Sequence, residues 1–348
     1  MMKKKDLKGV EFERFEDVVV KYGFEKYRAA QLFGWIHVKR AGGLDAVKNI
    51  PAPVKEALLQ AGYDIIYPAM AEKTESRRDA TVKFLFKAAD SAAFEAVRIE
   101  DKGRETLCIS SQSGCACACG FCATGKMGLK RNLETGEMIA QFYAAAGALG
   151  IKFDNLVFMG MGEPLLNWDN VSRAIDILSD RRGSNFSRSR ITVSTCGITP
   201  VMKKIARMEP GFNLAVSVIT ADNEQRSKLM PVNVKYPLKG VVEAAAEFGR
   251  KAKGRLTFEC VLFDGINDSL QHAEALAGLI RGINCRVNII PYNSAAGTGY
   301  SRPDTLKALA FQKALKRRGV EAYIRKEKGA DIKAACGQLA AGENNSQC

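Results

Sequence analysis

Gly114-Cys115-Ala116-Cys117-Ala118-Cys119-Gly120-Phe121-Cys122 is the stretch around which the rest of the chain is read. Cys115, Cys119 and Cys122 within it form Cys-x-x-x-Cys-x-x-Cys. Three thiolates on one tight loop can hold three irons of a [4Fe–4S] cluster. The fourth iron then has no cysteine and is open to a ligand. A structural zinc loop is the competing reading. Zinc takes a fourth ligand, usually from a second Cys-x-x-Cys pair or from histidines. The chain has 2 histidines, His37 and His272, and neither is near the loop. The metal ligands are therefore read as Cys115, Cys119 and Cys122, with a cluster as the cofactor. Cys117 is offset by two residues from its neighbours and is expected to point away.

Moving outward toward the C-terminus, strand and helix patterns alternate. Strands are expected at 106–111, running into the cysteine loop, then at 155–159, 191–195, 213–218, 256–262 and 287–293. Helices are expected at 135–148, capped by Thr135, and at 171–178, 200–207, 241–252, 270–280 and 304–318. Six strand–helix units imply α/β architecture, with a parallel sheet and right-handed crossovers. The expected form is a partial (β/α)6 barrel. In such sheets the chemistry gathers at the C-terminal ends of the strands. The cysteine loop, Gly160-Met161-Gly162-Glu163-Pro164, Ser194, Ser217 and Asn293 all fall at such ends. Glu163 can accept a charge-assisted hydrogen bond from a ligand ammonium, and the flanking glycines allow close backbone approach. Ser194, Ser217 and Asn293 can hold ribose or carboxylate groups.

Moving outward toward the N-terminus, residues 63–104 have strand character, at Thr81–Phe86 and Ala93–Ile99, with Asp79-Ala80 expected as the turn between them. This is read as a small β extension. By residue pattern alone Glu95 is an exposed strand carboxylate. Residues 1–62 read as a helical accessory domain, with helices over Arg28–Ile36 and from Pro53 to about Gly62, and with Trp35 as a core residue. The division is 1–62, 63–104 and 105–348, the last ending in a segment that carries Cys336.

The 348 residues carry 52 Lys+Arg against 38 Asp+Glu, a net charge of +14. The excess is clumped, at Lys126/Lys130/Arg131, Arg181/Arg182, Lys203/Lys204/Arg207, Lys316/Arg317/Arg318 and Arg325/Lys326/Lys328. Clumped cations suit a polyanionic partner, here RNA or DNA. No apolar run reaches the ~18–20 residues of a membrane span, and no apolar signal core follows the basic Met1–Asp6 start. A cytoplasmic protein without membrane contact is expected, its 10 cysteines serving metal or thiol chemistry over a disulfide scaffold.

The cysteine loop resembles the signature of radical S-adenosylmethionine (SAM) enzymes. Over nearly its full length the chain is similar to the RlmN/Cfr family of radical-SAM RNA adenine methyltransferases. The similarity rests on the Arg28–Ile36 helix, Leu107-Cys108-Ile-Ser-Ser-Gln-Ser-Gly-Cys115, Met159-Gly-Met-Gly162-Glu163-Pro164-Leu-Leu-Asn167, Ser194-Thr-Cys-Gly197 and Asp331-Ile-Lys-Ala-Ala-Cys336-Gly-Gln-Leu339. It implies SAM contacts at Gly162, Glu163, Ser194, Ser217, Val218, Ile219 and Asn293. It implies a methyl-carrying Cys336, a resolving Cys108 and a proton acceptor at Glu95.

The implied scheme has Cys336 take a methyl from one SAM by displacement. The cluster cleaves a second SAM to a radical that activates that methyl, and the carbon adds to adenine. Glu95 then removes the ring proton. Cys108 attacks the Cys336 sulfur, forming a disulfide and releasing methyladenine. The implied partners are rRNA and/or tRNA and an unidentified electron donor, with action as a monomer. Departures are Val218-Ile219 where the family commonly has Leu-His, Cys196 in place of serine, unfamiliar residues at Thr220 and Asp222, and Lys328 before Gly329 in place of arginine. They imply a divergent member with its own RNA target, while the Gly162-Glu163-Pro164 form points to the C2-methylating branch. The alternatives are a C8-methylating relative and a non-catalytic iron–sulfur or zinc protein that binds RNA.

Overall fold

The computed structural model describes residues 4–295 and 297–341. Ten strands make the main sheet. In chain order they are β1 (Ala69–Glu75), β2 (Val82–Lys87), β3 (Ala93–Asp101), β4 (Arg104–Cys108), β5 (Asn155–Phe158), β6 (Ile191–Thr195), β7 (Asn213–Ser217), β8 (Leu256–Leu262), β9 (Arg286–Pro291) and β10 (Glu321–Ile324). Spatial order follows chain order. From β1 to β4 the pairings are antiparallel. From β4 to β10 every pairing is parallel.

Parallel neighbours need a crossover. Helices Thr135–Leu149, Trp168–Ser179, Thr199–Arg207, Leu238–Lys251, Leu270–Leu279 and Thr305–Arg317 supply one for each of the six gaps. Alternate strand residues, such as Leu156, Phe158, Val193, Leu214, Val216, Phe258 and Ile289, are apolar and buried. The α/β fold with six strand–helix units stands as expected. The sheet continues one strand further, at β10. That strand has four residues and a half-exposed edge, too short to give a period.

Three local expectations are corrected. Asp79-Ala80 turns between β1 and β2, while the link from β2 to β3 is 88–92. Helix Thr135–Leu149 is capped by Glu134, whose N–H donates to Glu137 Oε2 at 2.8 Å, and Thr135 is already helical. The expected strand 106–111 is broken. After β4, Gln112–Gly114 leaves the main sheet and pairs antiparallel with Leu129–Asn132, forming a separate hairpin.

The N-terminal helices are Phe12–Lys21, Tyr27–His37 and Ala52–Gln60. Phe12 and Phe15 meet the ring of Phe33 edge-on, at 5.3 and 6.0 Å. This apolar face merges with the main core. Trp35 is half-buried against that core, with Lys39 Nζ 4.0 Å from its ring centre. Lys8 is fully buried, 2.9 Å from Asp6 and 4.3 Å from the Tyr67 ring. Among the described residues no helix is long and apolar enough to cross a membrane.

Candidate active site

A cavity of about 580 Å³ opens where the parallel strands end. The Gln112–Gly114 hairpin delivers the cysteine loop to its rim. Gly114 closes the hairpin at φ +78°, and a Cβ there would lie 1.9 Å from the Gly128 carbonyl oxygen, so only glycine fits. Cys115 N–H donates to that same carbonyl at 3.0 Å. Cys115, Cys119 and Cys122 all line the cavity. Burial pushes the Cys119 thiol up, and the Cys122 and Cys115 sulfurs beside it add to this. Burial also raises Cys122. Grouped thiols that resist ionising alone are stabilised as thiolates by a bound cation, so this donor set fits an iron cluster.

Beside the loop lies Arg226, fully buried. It donates to the carbonyls of Cys196 (2.7 Å), Ser217 (2.8 Å) and Val218 (3.1 Å), and to Asn233 Oδ1. None of these partners is a carboxylate. Burial pulls the guanidinium down, and the Cys196 and Cys119 sulfurs act the other way. A buried cation is thus set against the loop that would carry anionic thiolates.

Glu163 follows β5 and is 3% exposed. Its Oε1 accepts from Leu165 N–H at 2.9 Å, and its Oε2 from Cys196 N–H at 2.8 Å and Cys196 Sγ at 2.9 Å. Burial raises its carboxyl, and those hydrogen bonds offset part of the rise. No basic side chain contacts it among the described residues, so a ligand ammonium would be its first cation. Cys117 does not point away: it lines the cavity with its sulfur 3.1 Å from that of Cys196. Cys117, Glu163 and Cys196 form one compact donor group.

Ser194, Ser217, Ile219 and Asn293 line the same cavity, whereas Val218 lies in the apolar core. Ile219 sits at φ +67°, an uncommon conformation for a β-branched residue. Asn267 Nδ2 and Cys260 Sγ hold its carbonyl, at 2.9 and 3.1 Å. Its apolar side chain leaves only main-chain polar atoms at this point of the wall.

The C-terminal segment closes one side. Ala123 N–H donates to Gly337 O at 2.8 Å and Thr124 Oγ1 to Leu339 O at 2.7 Å, which stitches the segment to the cysteine loop. Asn293 Nδ2 donates to Cys336 O at 3.3 Å. Cys336 is exposed and lines the cavity, and so does Cys108 at the end of β4. Both are free thiols. Burial pushes Cys108 up to about 12, with Cys336 adding to the rise and Arg325 opposing it.

Glu95 is not on the cavity wall. It is 3% exposed, not an exposed strand residue. Its Oε2 accepts from the N–H groups of Ala340 (2.9 Å) and Ala341 (3.1 Å), and its Oε1 pairs with Lys83 at 3.2 Å. The structure thus brings together the three loop cysteines, Cys108, Cys336, Gly162, Glu163, Ser194, Ser217, Ile219 and Asn293. It leaves Val218 and Glu95 outside. Sequence reading passed over Arg226 and Glu259, and took Arg325 only as part of a basic cluster. The first lies in a helix, Asn223–Leu229, that reads as a solvated charged face, and the only signal for that helix was its cap, Asp222.

Residues 109–277 match the model of the Radical SAM superfamily. The dual-specificity RNA methyltransferase RlmN of Anaeromyxobacter sp. (strain Fw109-5) is 41% identical over 345 residues, covering 97% of this chain and 90% of that protein. That of Pelobacter propionicus is 41% identical over 339 residues, covering 97% and 96%. The crystal structure of a radical SAM methyltransferase from Sphaerobacter thermophilus superposes with a TM-score of 0.92 at 38% identity, covering 97% of this chain and 99% of that one.

Proposed function

This chain belongs to the RlmN family of radical-SAM RNA methyltransferases, and from that premise we propose that it methylates carbon 2 of an RNA adenine by way of a methyl group carried on Cys336. It is a radical-SAM RNA methyltransferase that uses SAM and a [4Fe–4S] cluster. One observation carries the finer reading: besides Cys117 and Cys196, the cavity that holds the three loop cysteines also holds the free thiols of Cys108, at the end of β4, and Cys336, on the C-terminal segment.

Carbon 2 of adenine is electron-poor and does not attack the methyl of SAM directly. A carrier nucleophile and radical activation of the carried methyl answer that need, and the bound cluster with SAM supplies the activation. In this reading Cys115, Cys119 and Cys122 hold the cluster. Glu163 holds the SAM ammonium, with Gly162, Ser194, Ser217 and the main chain of Val218 and Ile219 around the ligand. Asn293 positions the carrier segment through the Cys336 carbonyl. Cys336 as thiolate displaces the methyl from SAM, and Cys108 later attacks the Cys336 sulfur to release the product. Burial disfavours the Cys108 thiolate in the geometry described. Glu95 accepts the ring proton once residues 340 and 341 release its carboxylate; in the geometry described it anchors the segment. RNA is the substrate, with rRNA and tRNA as the proposed targets. Residues 1–62 serve as its accessory domain, and an external electron donor and action as a monomer complete the reading.

The test is anaerobic incubation with labelled SAM and total RNA, followed by nucleoside analysis. The reading predicts 2-methyladenosine, with Cys336→Ala abolishing it while SAM is still cleaved. 8-Methyladenosine, or an unchanged yield from Cys336→Ala, would overturn it.

A further inference from the structure

Strand β8 turns one acidic side chain toward the cavity, Glu259, which no step above uses. It is 4% exposed. Its Oε1 accepts from Asn288 Nδ2 at 2.9 Å. Its Oε2 is buried without any hydrogen-bond partner among the described residues. Arg325 Nη1 stands 3.9 Å from that oxygen, beyond hydrogen-bond reach. Burial raises the carboxyl, and Arg325 and Asn288 only partly offset this. Buried polar atoms are nearly always satisfied, so an orphan acceptor on a cavity wall marks where a ligand's donor belongs.

The sheet register says which ligand. Glu259 lies directly across from Ser217 on β7, and both line the cavity. Adjacent strands are about 4.8 Å apart, so what Ser217 touches is within reach of Glu259. SAM offers three kinds of donor: its ammonium, its adenine amino group and its ribose diol. The ammonium is matched to Glu163, which follows β5, three strands away. The amino group of adenine sits beside a ring nitrogen that needs a donor, which a carboxylate lacks. A vicinal diol offers two O–H donors side by side, and Glu259 has Oε2 free and a second lone pair on Oε1. Carboxylates meet ribose hydroxyls in the same way in dinucleotide-binding folds. At the neighbouring strand end Ile219 brings no polar side chain, which leaves Glu259 as the carboxylate at this part of the wall, with Arg325 beside it.

We propose that Glu259 is the sugar-recognition residue of the SAM site, its carboxylate accepting hydrogen bonds from the ribose hydroxyls. This rests on the reading that the cavity binds SAM. The test uses cluster-loaded Cys336→Ala protein without reductant, so that bound SAM is not consumed. Equilibrium dialysis gives Kd for SAM and for its 2′-deoxy and 3′-deoxy analogues, with Glu259, Glu259→Gln and Glu259→Ala in that background. Glu259→Ala should weaken SAM by about 10–100-fold, the loss of a hydrogen-bonded charge. At least one deoxy analogue should bind the Glu259 protein comparably weakly and lose less than about threefold more on substitution. If the alanine variant does not load its cluster, Glu259→Gln decides, with a smaller loss for SAM and none for that analogue. Unchanged SAM binding by a folded, loaded variant would overturn the proposal, as would equal losses for SAM and both analogues. Failure of the Glu259 protein itself to bind SAM would instead overturn the reading of the cavity, a distinguishable result.

Discussion

The two ends of the chain are fastened in opposite ways. The N-terminal helices are locked by burial: Phe12, Phe15 and Phe33 pack edge-on, Lys8 is enclosed with Asp6, and His37 Nδ1 lies 2.9 Å from the Tyr143 hydroxyl inside the core. The C-terminal segment, 329–341, is latched by polar groups reaching from elsewhere. Asp331 accepts from Ser76 Oγ at 2.8 Å and Arg77 N–H at 2.9 Å. Asp79 Oδ2 accepts from Gly329 N–H at 3.0 Å, and Glu95 holds residues 340 and 341. The segment's buried apolar side chains are Ala334, Ala335 and Leu339. Small apolar burial and hydrogen bonds near solvent are the marks of a unit that opens below the global unfolding energy. The difference teaches that one end is scaffold, while the other suits a carrier that must reach one partner and then another.

The largest expected effect separates function from stability. Cys336→Ala should lower RNA methylation by roughly 10³-fold or more, the scale for losing a nucleophile, with no change in melting temperature. A large fall in melting temperature would show that the latched segment is scaffold after all. Arg226→Met should do the reverse of that separation, cutting stability itself. It strips the donor from the Cys196, Ser217 and Val218 carbonyls and from Asn233, which should cost about 3–5 kcal/mol in urea unfolding.

The locked end also predicts a pH dependence. Burial depresses His37 from its ordinary value of 6.5 to about 3. The unfolded chain therefore binds a proton between those values that the folded chain refuses. The contribution is complete above the unfolded value and is lost as pH falls. From pH 7 to pH 5 this one group should cost about 2 kcal/mol, and His37→Gln should flatten the stability profile over that window.

The smallest effect is the most discriminating. Glu95→Gln weakens two charge-assisted hydrogen bonds to the segment, worth about 1 kcal/mol locally. Hydrogen exchange at 335–341 should quicken without a shift in global unfolding. Unaltered exchange together with lost methylation would assign Glu95 to proton transfer alone.

The alternating half of the fold was legible because buried parallel strands and amphipathic helices each have a strong period. The Gly114–Cys122 loop was legible because metal spacing is a local property. What escaped was set by contacts distant in sequence. β10 has too few residues to show a period. The occupation of Glu95 depends on a tail 245 residues away. Arg226 has the sequence context of a surface helix, and only tertiary packing encloses it. Cys117 was expected to point outward from its offset alone, but the left-handed Ala118 (φ +49°) that follows it breaks the simple alternation.

Peptide mass spectrometry of the cluster-loaded enzyme after incubation with methyl-labelled SAM, without RNA, tests the central claim most directly. The account predicts one labelled methyl on the peptide containing Cys336, and its passage to adenine when RNA and reductant are added. Labelled RNA from an enzyme whose Cys336 never carries the label would contradict it.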